Sequence, residues 1–234
     1  MSNFVIKDKA TLKDKVDMIA ALSDMKIATK ILEENQDEDP HDELHSRYLS
    51  LKCNIKHVPR GEDIFATLEK YLHNTTSDNS YQKWNLVEAF EVERNGEPES
   101  FLDHGNKKLL WHGSRITNFV GILSQGLRIA PPEAPSSGYL FGKGVYFADM
   151  ASKSLAYCYP SNKTALILLC EVSLGNPNEL LTTDQGAANL PKGTHSTKGC
   201  GRTCPCEEID IEGVSVPIGV PKTNTTLKVN LILI

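Results

Sequence analysis

The sequence has no long hydrophobic run, few cysteines and little excess charge, and each shortage argues against a class of protein. No apolar run approaches the roughly 20 residues that a membrane-spanning helix needs, and the first residues, MSNFVIK, lack the hydrophobic region of a signal peptide. A net charge of -5 argues against a dedicated nucleic-acid-binding surface. Cys53, Cys158 and Cys170 stand singly, which favours a reducing compartment over a disulfide scaffold.

The composition that remains, 40% hydrophobic and 24% charged, is that of an ordinary globular protein. Its 234 residues allow one large domain or two small ones. In the first third, apolar residues recur at helical spacing, and Ser23 with Asp24 is expected to begin a second helix. Further helices are predicted over residues 44–51 and 64–72, with an acidic turn at 36–40 and an extended segment at 53–58.

Strands dominate the remainder of the chain. The patterns predict them over residues 86–94, 109–112, 145–147, 166–172 and 227–234, with short helices after Asn118 and Asp149. The boundary between the helical part and the α+β part is expected near residues 76–84.

Two segments carry the strongest functional pattern, LLWHGS at residues 109–114 and FGKGVYFAD at residues 141–149. In each, an apolar run ends in a polar residue flanked by glycine, which is how a buried strand delivers a functional side chain to a cleft. Gly113, Gly142 and Gly144 are expected to let a ligand approach the bare backbone, because no Cβ stands in the way.

These segments resemble the signature of the poly(ADP-ribose) polymerase catalytic domain, in particular its DNA-damage-activated nuclear branch. The matching text is LLWHGSR, then GILSQGLRIAPPEAP, then GKGVYFADMASKS, and finally LPKGTHS at residues 190–196. The resemblance implies an α+β chain, with an ADP-ribosyltransferase fold of two packed antiparallel β-sheets after a partial α-helical regulatory bundle. The regulatory part would span residues 1–80 and the catalytic part residues 81–234, without the last strands of the fold.

The resemblance also implies an activity, a location and partners. The activity is transfer of ADP-ribose from NAD+ to protein acceptors, including chromatin proteins and the enzyme itself, extended to poly(ADP-ribose) in the DNA damage response. The location would be the nucleus, DNA would be contacted only through modules outside this chain, and no membrane would be involved. Breaking the bond between nicotinamide and ribose passes through a cation similar to that of glycoside hydrolysis, from which water must be excluded.

Nine residues receive roles from the resemblance. The implied catalytic residues are His112, Tyr146 and Lys153. His112 and Ser114 would contact the adenosine ribose, while Gly113 and Ser154 would bind the carboxamide of nicotinamide. The nicotinamide ring would lie between Tyr146 and Tyr157, and Arg128 and Gly121 would line the adenine and pyrophosphate end. Taken alone, each has a plainer interpretation, as a core histidine or aromatic residue, a turn serine, a bulge or helix-packing glycine, or a surface charge.

His195, Cys200, Cys204 and Cys206 form a second cluster, but their spacing differs from that of paired zinc ligands. We therefore expect no metal. The third residue of the family's triad is a glutamate, and Asn230 stands at about its position. The alternatives are consequently a catalytically impaired NAD-binding fragment or a mono-ADP-ribosyltransferase. One hypothesis for the change is that residues 229–234 are translated intron, because the codons for Val-Asn can resemble a splice donor.

Overall fold

The computed structural model describes Ile6 and residues 8–33, 43–76, 83–130 and 139–224. The predicted turn at 36–40, the predicted strand at 227–234 and Asn230 lie outside the described residues. The helices are α1 (Lys9–Glu33), α2 (Glu43–Ser50), α3 (Asp63–Thr75), α4 (Glu97–Ser100), α5 (Phe119–Gln125) and α6 (Ala151–Leu155), with a 3₁₀ helix at Ile116–Asn118. The strands are β1 (Cys53–Val58), β2 (Ala89–Arg94), β3 (Lys107–Gly113), β4 (Ile167–Ser173), β5 (Pro177–Leu180), β6 (Ser196–Gly199), β7 (Thr203–Pro205), β8 (Ile209–Ile211), β9 (Val214–Val216) and β10 (Pro221–Thr223).

Helix α1 is one continuous helix, so the predicted start of a second helix at Ser23 and Asp24 is wrong. Serine and aspartate favour caps, but they cost little inside a helix when strong helix formers such as Ala20, Ala21 and Lys26 flank them. Helix α1 packs against α5 and the 3₁₀ helix that precedes it. No helix among the described residues is both long enough and apolar enough to cross a membrane.

Helix α3 lies in the core, because its apolar residues recur on one face. The buried ring of Tyr71 packs 4.8 Å from the ring of Trp111, and its hydroxyl donates to the backbone oxygen of Leu109 on β3. Thr75 joins α3 to α6, since its Oγ1 accepts the backbone N–H of Ala151 at 3.2 Å. These contacts hold α3, β3 and α6 together as one packed unit.

The described strands form four small sheets. The largest has the order β4-β3-β9-β8 and is mixed, because β3 pairs antiparallel with β4 and parallel with β9. Strands β5 and β6 pair in parallel, whereas β1–β2 and β7–β10 are antiparallel pairs. The α+β class is confirmed, while the packing of two antiparallel sheets is not.

Several elements agree with the sequence patterns and others do not. The predicted helices at α2, α3, α5 and α6 and the predicted strands β2–β4 are present, and the segment predicted to be extended forms β1. The predicted strand at 145–147 is absent, and only a single bridge joins Ala148 to Trp111 there. Contacts also cross the expected boundary near residue 80, because β1 pairs with β2 and α3 packs against α6.

Candidate active site

The end of β3 and the segment 145–149 bring two predicted site residues together. Trp111 and Ala148 exchange backbone hydrogen bonds of 2.8 and 2.9 Å, which aligns the segment beside β3. One residue further along β3, His112 Nδ1 lies 2.8 Å from the backbone oxygen of Tyr146. His112 and Tyr146, which are 34 residues apart in sequence, are therefore neighbours in space.

This contact decides which ring nitrogen of His112 carries its proton. A carbonyl oxygen only accepts, so Nδ1 is the protonated nitrogen and Nε2 is left as an acceptor in the neutral ring. Burial lowers the pKa of His112, against a smaller opposite effect of the hydrogen bond to Tyr146. Neutral His112 can thus accept a hydrogen bond from a hydroxyl, such as that of a ribose.

Position 113 must be glycine because helix α6 packs directly against its backbone. A Cβ built on Gly113 would lie 1.7 Å from the backbone oxygen of Ser154, which no side chain allows. Similarly, a Cβ on Gly142 would meet the backbone oxygen of Gln185 at 2.7 Å. The reason expected for these two glycines is therefore wrong, because the space that a Cβ would take is filled by protein and not left for a ligand. Only Gly144 has open space where its Cβ would be.

Ser154 is buried, with 5% of its surface exposed, and its hydroxyl has a defined direction. Its Oγ donates to the backbone oxygen of Trp111 at 2.9 Å. A hydroxyl has one proton and two lone pairs, so the oxygen remains able to accept a hydrogen bond. An amide N–H is a suitable donor to it.

The two predicted stacking tyrosines have different environments. The hydroxyl of Tyr146 bonds to Gly142 and Phe141 in its own loop, which fixes the ring from its polar end. Its pKa is raised by burial and, to a smaller extent, by the nearby Tyr139 and Tyr157. Tyr157 is 53% exposed and lies in the turn directly after α6. Tyr146 is therefore fixed within its loop, whereas Tyr157 is open to solvent.

The other four predicted site residues lie on or just after β3, α5 and α6. Ser114 Oγ accepts a hydrogen bond of 2.9 Å from Asn118 Nδ2. Gly121 is buried inside α5, which agrees with a packing role in that helix. Lys153 is half-buried on α6, next to Ser154. Arg128 is exposed just after α5, where its Nη1 donates to Gln125 Oε1 at 2.7 Å.

Three residues that the sequence patterns missed also contribute. Asn118 orients Ser114, and the buried Cys158 donates from Sγ to the backbone oxygen of Ser154 at 3.5 Å while the backbone of Ser114 bonds the same thiol. Burial raises the pKa of Asp149 to about 7, and its buried Oδ1 has no partner among the described residues. Asn118 lies four residues after Ser114, a spacing that could have indicated the contact; Cys158 and Asp149 carry no such signal.

The cluster of His195 and three cysteines has no metal-binding geometry. His195 Nδ1 accepts the backbone N–H of Asn176 at 3.1 Å, and its ring stacks on His104 at 4.4 Å. Within the described ranges, no group of three or more histidine, cysteine, aspartate or glutamate side chains is arranged to hold a metal ion.

Comparison with known protein families agrees with this site. The family model for the poly(ADP-ribose) polymerase catalytic domain matches residues 62–231, and the model for the regulatory domain of the same polymerases matches residues 1–48. These two matches identify an ADP-ribosyltransferase-type catalytic domain with a regulatory segment. The chain belongs to the poly(ADP-ribose) polymerase family, whose donor substrate is NAD+, and the expected family, enzyme class and donor are confirmed at this level.

Several curated proteins are similar over nearly the whole chain. Poly [ADP-ribose] polymerase 2-A of Oryza sativa subsp. japonica is 48% identical over 242 residues, which cover 99% of this chain and 36% of the relative. Poly [ADP-ribose] polymerase 2 of Homo sapiens is 43% identical over 94% of this chain and 39% of the relative. Poly [ADP-ribose] polymerase 1 of Arabidopsis thaliana is 46% identical over 93% of this chain and 23% of the relative. The chain therefore spans well under half the length of these curated relatives.

Proposed function

We propose that this chain binds NAD+ and transfers its ADP-ribose to protein acceptors. The observation that carries the proposal is the contact between His112 Nδ1 and the backbone of Tyr146, which leaves Nε2 as an acceptor beside a fixed tyrosine ring. In this assignment, His112 and Ser114 bind the adenosine ribose, and Arg128 and Gly121 lie at the adenine and pyrophosphate end. We further propose that acceptors include chromatin proteins and the enzyme itself, in the nucleus and in response to DNA damage.

The direction of the hydrogen bond from Ser154 to Trp111 supports a binding position for the nicotinamide end of NAD+. Ser154 Oγ donates to Trp111, so it would accept the amide N–H of nicotinamide, and the backbone of Gly113 would complete the carboxamide site. The ring would lie between Tyr146 and Tyr157, where stacking on two aromatic faces fixes it. Lys153 would stand beside the donor. Holding both ends of NAD+ strains no bond by itself but positions the ribose carbon for attack.

The transfer step is substitution at that carbon. The bond from ribose to the nicotinamide nitrogen breaks, and the electron pair leaves with neutral nicotinamide. An acceptor oxygen then forms the new bond and loses its proton. The developing cation is stabilised when polar groups are already arranged around it.

A neutral residue at the position of the third triad member supports a second candidate function. Asn230 can hydrogen-bond a ribose hydroxyl, but an amide stabilises positive charge less than a carboxylate does. The alternatives are a mono-ADP-ribosyltransferase and an NAD-binding module without transferase activity. Incubation with labelled NAD+ followed by gel electrophoresis separates them, because polymer gives a smear, single transfer gives a sharp band, and binding alone gives no label.

We also propose that this chain has the domain organisation of the family. A regulatory part would occupy residues 1–80 and the transferase residues 81–234, with the two antiparallel sheets of the ADP-ribosyltransferase fold. The match of the regulatory-domain model to residues 1–48 supports the first part. DNA would act only through modules outside this chain.

Binding of benzamide, which carries the same carboxamide on a flat ring, tests the proposed site. Ser154→Ala and Tyr146→Ala are each expected to weaken benzamide binding by on the order of 1 kcal/mol or more, about fivefold. Ser173→Ala is the matched control, because it also removes a bonded hydroxyl, but at the Asp103 loop. Equal benzamide affinity in the wild type and both site variants would remove these residues from the pocket.

A further inference from the structure

Three successive residues at the end of β3 and just after it contact residues of α6 and of the segment that follows it. The backbone oxygen of Ser154 fills the space beside Gly113, and the Cys158 thiol links Ser154 to the backbone of Ser114. The next contact outward joins Arg115 to Tyr159, with the guanidinium carbon 3.8 Å from the centre of the tyrosine ring. The inner contacts are buried, whereas Arg115 and Tyr159 are both exposed.

Burial does not explain the outer contact. Tyr159 is 54% exposed, and its backbone has a φ of 48°, in the left-handed region that residues other than glycine seldom adopt. Such a conformation costs free energy and persists where surrounding contacts require it. What it provides here is an aromatic face for a guanidinium, an attraction between a cation and a π system.

The environment of the Arg115 charge also differs from that of six cations that form ion pairs. Among the described residues, no carboxylate forms an ion pair with Arg115, whereas glutamates pair with Lys56, Arg60, Arg94, Lys107, Lys108 and Lys198. A guanidinium held over an aromatic ring still has its N–H donors, in a planar fork that matches the oxygens of a phosphate.

We propose that Arg115, held by Tyr159, binds the pyrophosphate of NAD+. This inference rests on the proposed function, because it uses Ser114 as a contact of the adenosine ribose, one residue before Arg115. The pyrophosphate follows that ribose in the donor and carries two negative charges. Arg115 is then a direct anion contact, and Tyr159 is a positioning residue that acts through it.

The test compares three ligands by isothermal titration calorimetry on the full chain. ADP-ribose carries the pyrophosphate, adenosine has the ribose without phosphate, and benzamide reports the nicotinamide end. Arg115→Ala is expected to weaken ADP-ribose binding about tenfold and to reduce its dependence on salt. Adenosine and benzamide binding are expected to change by less than about twofold.

Variants of Tyr159 test its positioning role. Tyr159→Ala removes the ring and is expected to weaken ADP-ribose binding about threefold. Tyr159→Phe keeps the aromatic face and is expected to restore wild-type affinity for ADP-ribose. Arg60→Ala is the matched control, because it removes an exposed arginine that pairs with Glu88. Melting curves confirm that each variant is folded.

The outcomes separate this proposal from the one on which it rests. If the wild type binds neither ADP-ribose nor benzamide, the proposed function is wrong and the role of Arg115 falls with it. If the wild type binds both and Arg115→Ala changes ADP-ribose affinity by less than twofold, only the role of Arg115 is wrong. Equal losses for adenosine and ADP-ribose would likewise overturn it, because they would indicate damage to the ribose site and no pyrophosphate contact.

Discussion

Helices α3 and α1 differ in how far their apolar side chains are buried. Helix α3 buries Tyr71 and Leu72 among residues of β3, β9 and α6, and it buries Phe65 beside Val58 and Ala89. Helix α1 is nearly twice as long, yet exposes a row of apolar residues to solvent, with Ile19 63% exposed and Met18, Leu22 and Met25 about half exposed.

The difference shows where the candidate site obtains its rigidity. Tyr71 and Thr75 reach from α3 to β3 and α6, the two elements that carry His112, Gly113 and Ser154. The main contacts of helix α1 are with α5, the 3₁₀ helix and α2. Substitutions around α3 should therefore alter stability and ligand binding together, whereas substitutions on the exposed face of α1 should alter neither in this chain.

The largest effect is expected from Gly113→Ala, at the junction that α3 supports. The added Cβ would meet backbone atoms of Ser154 that cannot move without displacing α6. We expect the free energy of unfolding to fall by about 4 kcal/mol and benzamide binding to be lost. Gly144→Ala is the control, because its Cβ would enter open space. Urea denaturation of both variants measures the difference, and a Gly113→Ala protein as stable as the control would contradict it.

The same substitution in the two helices tests the comparison directly. Leu72 of α3 is 4% exposed and Leu22 of α1 is 54% exposed. We expect Leu72→Ala to lower the free energy of unfolding by about 3 kcal/mol, because it removes buried methyl groups and leaves a cavity. Leu22→Ala should change it by no more than about 0.5 kcal/mol. Equal losses in urea denaturation would show that α1 is packed as α3 is.

A smaller effect is expected from Asp149→Asn, and it depends on pH. Burial raises the pKa of Asp149 from 3.8 to about 7, so the folded protein retains a proton that the unfolded chain loses between about pH 4 and 7. Stability therefore falls as the pH rises through this window. We expect the variant to be more stable than the wild type by about 2 kcal/mol at pH 8 and to lose that advantage near pH 4.

The measurement is the difference between the two proteins in urea denaturation at several pH values. The difference is needed because His112 acts in the opposite direction. Burial lowers its pKa, so its contribution to stability is lost as the pH falls below about 6.5. This effect is common to both proteins and cancels. A stability difference that is constant from pH 4 to 8 would mean that Asp149 does not titrate as described.

The sequence by itself determined the family and most of the longer elements. Motifs such as LLWHGSR and GKGVYFAD are long enough to identify poly(ADP-ribose) polymerases, and periodicity is sufficient for α3 and β1–β4. The three- and four-residue strands β5–β10 were not predictable, because they are too short to show alternation. The break expected at Ser23 failed because local capping preference is weak against strong helix formers on both sides.

Only the tertiary structure decided what each site residue contacts. That Gly113 is a glycine because of Ser154, that His112 keeps its proton on Nδ1, and that Arg115 stacks on Tyr159 all depend on segments more than 30 residues apart. Periodicity and motif spacing describe a residue's neighbours along the chain, whereas steric exclusion, hydrogen-bond direction and burial arise between segments that packing brings together.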